Sequence, residues 1–161
     1  MAALLVTVLE AETHEEAEQA LTGFVMDEAS FILQGIQYEG MAGILEYNDS
    51  FRKRFANVVT DVTSVHRVRQ QGGTEVLEAE FTMSALYLMS SMQIDVKGIA
   101  LARISEGKLG HGILSFSLQD AIEKQLSPNW QPTKTFNVMY GTLQLQVEKC
   151  LAHLEVLSYH I

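Results

Sequence analysis

The alternation of apolar and polar residues is clearest between residues 92 and 118, where it predicts a long β-hairpin. From Met92 to Ile104 every second residue is apolar or glycine, and the residues between them are mixed. Successive strand side chains point to opposite faces of a sheet, so one face of this strand is wholly apolar. Residues 105–108 contain a glycine and separate two such runs, as hairpin turns do. Because two strands are not stable alone, we predict that they form the centre of a curved antiparallel sheet.

Helical spacing of apolar residues is found in the first third of the chain. Residues 2–11 favour a helix, although their β-branched side chains leave a strand open. Thr13 and Glu16 have the spacing of a capping box, and the apolar positions after them predict a second helix that ends near Asp27. A third amphipathic helix is predicted to begin at Met41. Its inward residues are Ile44, Tyr47, Phe51 and Phe55.

Further strands are predicted at residues 29–34, 58–69 and 75–83. Residues 35–40 are interpreted as a turning segment, and residues 84–91 as an extended connection or a continuation of the strand before them. A short helix is predicted at residues 119–126. An extra C-terminal helix is predicted within the extension at residues 127–161, packed on the body or on a partner, from four apolar residues at helical spacing: Leu143, Val147, Leu151 and Leu154.

Composition narrows the possible functions. The 161 residues, 47% of them hydrophobic, suit one domain spanning residues 1–161, and no apolar stretch approaches the length of a membrane span. The single cysteine, Cys150, fits a reducing compartment, so we expect a cytoplasmic protein. The five histidines show no metal-ligand spacing, so neither a metal nor another cofactor is expected. The net charge of -9 argues against nucleic acid or an anionic membrane as a partner.

Three short segments carry motifs that point to a known superfamily. Residues 24–31 have an aromatic residue, a gap, an acidic pair and a small residue before a strand; residues 38–44 have a glycine at a helix start; residues 104–109 form a Gly-Lys hairpin turn. Gln125 and Leu126 after the last strand fit the same pattern. Their order resembles the nuclear transport factor two-like superfamily, which includes ketosteroid isomerases, SnoaL-like polyketide cyclases, limonene epoxide hydrolases and scytalone dehydratases. The resemblance covers about residues 13–126. It implies an α+β fold, in which a cone-shaped antiparallel sheet wraps around N-terminal helices (a cystatin-like α+β barrel).

The residues that transfer protons in ketosteroid isomerases do not carry over to this chain. The family's acid or base at the end of the first strand falls at Leu33 or Gln34. Its carboxylic acid on a long strand falls near Ala100, and its helix tyrosine near Leu5. The aspartate that many cyclases have at the end of the last strand falls near Ser117. The sequence therefore lacks that proton-abstraction machinery.

The resemblance implies a cavity lined by inward-facing residues of the long strands. By parity these residues are Val62, Ser64, His66, Val68, Leu77, Ala79, Phe81, Met83, Ile94, Val96, Gly98 and Ala100. His66 is the ionisable one, and an imidazole can move protons in both directions near neutral pH. Tyr38 and Tyr87 fall where the mouth of the cavity is expected and could donate to a ligand oxygen. We therefore predict these three residues as catalytic, with a solvated histidine and half-buried tyrosine rings as the structural alternatives.

The predicted substrate-binding residues are mostly apolar side chains of the strands and connections. They are Phe31, Leu33, Ser64, Phe81, Met83, Met92, Ile94, Ser115 and Trp130. Ser115 could face the ligand in a polar stripe with His111, although the opposite parity, with Leu114 and Phe116, looks more like core. The other face of the sheet mixes charged residues with Val76, Ile99 and Leu101, and we predict that it forms a homodimer surface.

These observations and the resemblance together predict a cofactor-independent isomerase or cyclase. It would act on a hydrophobic polycyclic natural-product intermediate, such as a polyketide or terpenoid, by acid/base catalysis in an apolar cavity; a lyase or dehydratase reaction is also open. The alternative is a non-catalytic small-molecule-binding or dimerisation module on the same fold, which the missing family carboxylates would explain equally well.

Overall fold

The computed structural model describes residues 1–118 and 121, and every structural statement below concerns them. The described elements are α1 (Ala2–Glu10), α2 (His14–Leu21), β1 (Val25–Leu33), β2 (Ile36–Glu39), α3 (Gly40–Arg52), β3 (Phe55–Gln71), β4 (Thr74–Tyr87), β5 (Met92–Ser105) and β6 (Lys108–Phe116). They give an α+β protein with N-terminal helices and a six-stranded mixed sheet. Three predictions fall largely outside the described residues and remain predictions. They are the short helix at 119–126, the C-terminal helix, and the inclusion of residues 127–161 in one domain spanning 1–161.

The β5–β6 hairpin lies in the middle of the sheet, as the alternation predicted. The strand order is β2-β1-β6-β5-β4-β3, and all neighbours are antiparallel except β1 and β6, which are parallel. The prediction of a purely antiparallel sheet was therefore wrong. Alternation identifies the buried face of a strand but carries no information about the direction of its neighbour.

Two boundaries in the N-terminal half differ from the prediction. Helix α2 ends at Leu21 and not near Asp27. Gly23 adopts a positive φ of 84°, and the Phe24 amide donates a hydrogen bond to the Leu21 carbonyl at 3.0 Å, which closes the end of the helix. Val25 is then buried as the first residue of β1. The predicted turning segment contains β2, a short strand paired with β1. Thr13 caps α2 as predicted, accepting from the Glu16 amide at 3.1 Å.

The helices and one face of the sheet enclose the core. We call this the inner face; it carries Ala79, Phe81 and Ala100 in the long strands, and these residues are buried as predicted. Helix α3 begins one residue before the predicted Met41 and ends at Arg52. Its residues Tyr47 and Phe51 are buried in the same core. Phe55 is also buried, but as the first residue of β3 and not as part of the helix.

An irregularity in β3 reverses the alternation of its side chains. Val62 lies opposite Phe81, and the register then shifts between Val62 and Ser64. Beyond the shift, Val65 lies opposite Ala79. Directly opposite residues of antiparallel strands share a face, so the inward residue of β3 changes from even to odd number. An extra residue in a strand moves every later side chain to the other face of the sheet.

The shift in β3 overturns two predicted positions. His66 lies opposite Glu78 on the outer face and is exposed, and Ser64 lies opposite Glu80. Their placement in the cavity lining was wrong, because it assumed unbroken alternation along β3. Val68 lies at a second irregularity, between Arg67 and Arg69, and is 40% exposed.

The outer face carries the apolar residues from which a homodimer was predicted. Val76, Ile99 and Leu101 are 4%, 8% and 9% exposed, respectively, so none of them offers a large free apolar area. Charged residues lie among them as predicted, with Glu78 opposite Leu101 and Glu80 opposite Ile99. Homodimerisation through this face stays a prediction.

Candidate functional site

A cavity of about 60 Å³ lies between α1, α3 and the inner face of the sheet. The N-terminal segment supplies Met1, Leu4, Leu5 and Val8 to its wall, and α3 supplies Ile44. The remaining wall comes from Phe31 and Leu33 in β1 and from small or aliphatic residues of β5 and β6. All lining residues are apolar, so the cavity presents carbon surface and no ionisable side chain from the described residues.

The three positions where ketosteroid isomerase residues would fall are brought together in this cavity. Leu5, Leu33 and Ala100 come from α1, β1 and β5, and all three line it. Gln34, the alternative position at the end of β1, uses its side chain elsewhere: its amide nitrogen donates to the Phe116 carbonyl at 3.0 Å, and its oxygen accepts from the Phe116 amide at 2.8 Å. The place expected for acid/base residues is therefore built from aliphatic side chains.

The predicted substrate-binding residues fall into three groups. Phe31 and Leu33 line the cavity. Phe81, Met83 and Ile94 point inward but are sealed in the core, at 1%, 1% and 0% exposure. The last group is Met92, Ser115 and Trp130: Met92 is half-buried against the core, Ser115 lies opposite Ile99, and Trp130 is outside the described residues. Because Ile99 is on the outer face, the placement of Ser115 toward a ligand was wrong, and its neighbours Leu114 and Phe116 are the buried ones.

The three residues predicted as catalytic are not assembled into one site. His66 is on the outer face of β3, at one edge of the sheet, and Tyr38 is on β2, at the other edge. Tyr38 is half-buried with its ring edge-on to Tyr47, with a centroid separation of 5.8 Å. Tyr87 packs its ring on Phe55 and donates its hydroxyl to the Met89 sulfur at 3.2 Å. Both tyrosines therefore match the alternative of a half-buried ring, and neither lines the cavity.

Sequence reasoning missed the contribution of α1 to the cavity. Met1, Leu4, Leu5 and Val8 follow the i, i+3, i+4, i+7 spacing of one helical face. The spacing could have predicted that this face of α1 is buried. It could not have shown whether the face packs against other side chains or lines a cavity.

The hydroxyl of Tyr47 is a buried polar group without a partner. Tyr47 is 1% exposed, and its Oη has no hydrogen-bond partner among the described residues. Burial raises the pKa of this phenol above its usual range, while the nearby Arg54 opposes the shift. A buried hydroxyl of this kind costs stability. Tyr47 lies one turn of α3 from Ile44 of the cavity wall but does not line the cavity itself.

Removal of this hydroxyl is expected to stabilise the protein. Tyr47→Phe should raise the free energy of unfolding by about 1 kcal/mol, because it deletes a desolvated group and keeps the ring. Urea denaturation measures the change. Tyr87→Phe is the matched control, with an expected change below about 0.5 kcal/mol because its hydroxyl is exposed. A loss of stability in Tyr47→Phe would show that the hydroxyl has a partner.

A polar network joins the C-terminal end of α1 to α3. Asn48, which is fully buried, donates to the Val8 carbonyl at 3.0 Å and accepts from Arg52 Nε at 3.1 Å. Asp49 hydrogen-bonds to both His14 and Arg52. The bond to His14 is the main cause that lowers the pKa of the Asp49 carboxyl, and Arg52 adds to it. The network fixes the junction of α1 and α2 on α3.

A second polar cluster lies on the outer face, away from the cavity. Ser30 and His111 occupy adjacent parallel strands, and their Oγ and Nδ1 atoms are 2.6 Å apart. Burial and the neighbouring Arg103 lower the pKa of His111, while Glu39 opposes the shift. Neither residue lines the cavity beside α1, so we interpret them as a cross-strand pair.

Neither a metal site nor a membrane helix is found in the described residues. No three or more histidine, cysteine, aspartate or glutamate side chains there lie close enough to hold a metal ion. Helices α1, α2 and α3 are all too short to cross a bilayer.

Comparison with known proteins gives matches in structure only. No protein-family model and no curated protein sequence matches the chain. A protein with a ketosteroid isomerase-like fold from Catenulispora acidiphila, in complex with trimethylamine, has a TM-score of 0.62 and 14% identity, over 81% of this chain and 95% of that one. Hexachlorocyclohexane dehydrochlorinase LinA-type3 from Novosphingobium barchaimii gives 0.61 and 15%, over 72% and 83%. IdmH, a candidate polyketide cyclase from Streptomyces antibioticus, gives 0.60 and 10%, over 78% and 98%.

These identities are low, so the similarity concerns the fold and not a shared activity. The fold is common to dehydrochlorinases, polyketide cyclases and proteins of unknown function. The motif order in the sequence, the helices on the inner face and the solved structures agree. The chain has a ketosteroid isomerase-like, NTF2-like fold.

Proposed function

We propose that this protein binds an apolar small molecule in the cavity beneath α1, without acid/base chemistry by the cavity wall. The observation that carries the proposal is the apolar character of Leu5, Leu33 and Ala100 at the family's acid/base positions. Proton transfer needs a titratable group within hydrogen-bond reach of the reacting atom. The described wall offers none, which supports the alternative of a non-catalytic small-molecule-binding module.

The driving force for such binding is the removal of apolar surface from water. Each Å² of apolar surface that is buried contributes about 25 cal/mol. Ligand pockets are usually mostly apolar with a few polar groups that orient the ligand. The proposed ligand is therefore a hydrocarbon-like molecule, or the hydrocarbon part of a larger one, and no metal or other cofactor is required.

Naphthalene binding tests the proposal, with the variant Ala100→Val to fill part of the cavity. The wild-type protein should bind naphthalene saturably, as followed by the methyl NMR signals of Leu5 and Leu33. Ala100→Val should weaken binding by at least about tenfold, because the added methyl groups occupy the site. Lys97→Ala, three residues away in β5 and on the outer face, should leave the affinity unchanged. No saturable binding of naphthalene or of the smaller apolar probe xenon, or equal naphthalene binding by Ala100→Val, would refute the proposal.

The second candidate is the isomerase or cyclase acting on a hydrophobic polycyclic polyketide or terpenoid. One observation favours it: the Tyr47 hydroxyl is buried without a partner among the described residues, one turn of α3 from the cavity-lining Ile44, and could polarise a substrate oxygen that reaches it. The exposed position of His66 removes the acid/base group first assigned to this reaction. Screening polycyclic ketones for isomerisation or cyclisation tests this candidate. Turnover by the wild type that Tyr47→Phe reduces by about tenfold or more would support it, and the absence of turnover would leave the binding module.

A further inference from the structure

Helix α1 is held to the rest of the protein by polar contacts at its C-terminal end. The Asn48 side chain donates to the carbonyls of Val8 and Ala11, at 3.0 and 3.5 Å. Arg52 Nη1 donates to the Glu12 carbonyl at 3.0 Å, just beyond the helix. On the other side, the Glu10 carboxylate accepts from the backbone amide of Thr60 in β3.

The N-terminal end of α1 has contacts of a different kind. Within the described chain, no hydrogen bond joins residues 1–7 to the body; the Thr7 hydroxyl bonds to Ala3 inside the helix itself. The helix also lacks a side-chain cap at Met1. Leu4 and Leu5 contact the body through the apolar wall of the cavity. This end is therefore held by apolar packing, which has no preferred direction.

The anchored end of α1 and the movable part of the cavity wall lie at different ends of the helix: Val8 lines the cavity beside the Asn48 bond, whereas Met1, Leu4 and Leu5 line it toward the N-terminus. Six residues separate Leu4 from Glu10, which is about 9 Å along a helix axis. A rotation about the anchored end would move Leu4 and Leu5 by several ångströms while the bonds of Asn48 and Arg52 remain. Such a motion enlarges the cavity and leaves the sheet and α3 unchanged.

The volume of the cavity makes this motion relevant to binding. An engineered cavity that takes up benzene has a volume of roughly 150 Å³, more than twice the 60 Å³ found here. A ring-sized ligand therefore needs more room than the resting cavity gives. The neighbouring strands β1, β5 and β6 are hydrogen-bonded on both sides, whereas the N-terminal end of α1 has no hydrogen bond to any other described element.

We propose that α1 is the lid of the cavity and opens about an anchor formed by Asn48 and Arg52 to admit ligands larger than the resting space. The proposal rests on the proposed binding function. Opening exposes Met1, Leu4 and Leu5 and keeps Leu9, which is 1% exposed, near the anchored end. Local opening of a single helix costs less than global unfolding, so the open state is visited without loss of the fold.

Hydrogen exchange of the free protein tests the opening itself. Amides of residues 5–7 in α1 should exchange at least about tenfold faster than those of residues 94–100 in β5, because a nine-residue helix that leaves the sheet loses its packing and breaks its own backbone hydrogen bonds. Exchange of both segments at one rate, through global unfolding, would overturn the proposal. This measurement needs no ligand, so it is independent of whether the protein binds naphthalene.

The anchor is tested with Asn48→Ala, which removes the bonds to Val8 and Ala11. We expect about tenfold faster exchange of α1, unchanged exchange of β5, and naphthalene association and dissociation rates that rise together. Val96→Ala, a core change in β5, should accelerate β5 exchange and leave α1 and the association rate unchanged. If Asn48→Ala does not fold, Arg52→Lys weakens the same anchor and takes its place.

The failures of the lid and of the binding function are distinguishable. Association rates that stay constant while α1 opens more often would show that ligands enter elsewhere, and the lid would be rejected. Xenon is a smaller apolar probe, and its uptake should be insensitive to the anchor variants. If neither xenon nor naphthalene binds the wild type, the proposed binding function fails. If xenon binds and naphthalene does not, the cavity takes up an apolar guest but α1 does not open for a larger one, and the lid is rejected.

Discussion

Replacing Phe51 with alanine is expected to lower the free energy of unfolding by about 3–5 kcal/mol. Phe51 is fully buried on the inward side of α3, and its ring stacks on Phe55 with a centroid separation of 4.6 Å. It also meets Tyr47 at 5.9 Å and, edge-on, Phe116 at 6.2 Å. The substitution loses the burial of a whole ring and leaves a cavity between α3, β3 and β6. Urea or thermal denaturation measures this loss.

Phe24→Ala is the matched control, since the same atoms are removed from a ring that is 52% exposed. It should cost about 1 kcal/mol or less, because half of the ring is already in water and the site leaves no closed cavity. Equal losses in the two variants would mean that the aromatic cluster around Phe51 does not organise the core.

Gly98→Ala is expected to cost about 3 kcal/mol through a steric clash in the middle of the sheet. A Cβ at this position would lie 2.2 Å from Phe81 Cζ and within 2.8 Å of both Cε atoms. Gly98 and Phe81 are opposite each other in β5 and β4, so the ring lies across the glycine. Phe81 is 1% exposed, and the packed core leaves its ring little space to move. Circular dichroism melting curves measure the effect.

Two variants separate the clash from the general effect of an alanine in a strand. Gly110→Ala in β6 should be nearly neutral, because its new Cβ meets only the flexible Met26 side chain, at 3.0 Å. In the double variant Gly98→Ala with Phe81→Leu, the smaller side chain should recover part of the loss, giving a coupling energy of about 1 kcal/mol or more. Additive losses would contradict the predicted contact.

The elements that sequence reasoning located well are those whose signal is local. The β5–β6 hairpin follows from alternation and a glycine turn, and the α2 cap from the spacing of Thr13 and Glu16. Inward positions such as Phe81 and Ile94 follow from parity alone, because parity holds wherever a strand is regular.

The errors come from events that alternation cannot report. An extra residue after Val62 moved His66 from the predicted cavity to the outer face. A bulge depends on how the facing strand is paired, so the sequence of β3 alone does not reveal it. The prediction of one catalytic site has a different weakness. His66, Tyr38 and Tyr87 were combined because each side chain can donate a proton, and residue type gives no information about distance in the fold.

The sequence by itself determined the α+β class, the central hairpin and the apolar nature of the inner face, because these depend on residue type and on spacing within one element. The resemblance, and not the pattern, predicted aliphatic residues at the positions where ketosteroid isomerases have their acid/base groups. Only the tertiary structure decided that β1 runs parallel to β6 and that Leu5, Leu33 and Ala100 meet around one cavity. Those facts depend on contacts between residues far apart in the chain, and local pattern says which face is buried but not what that face meets.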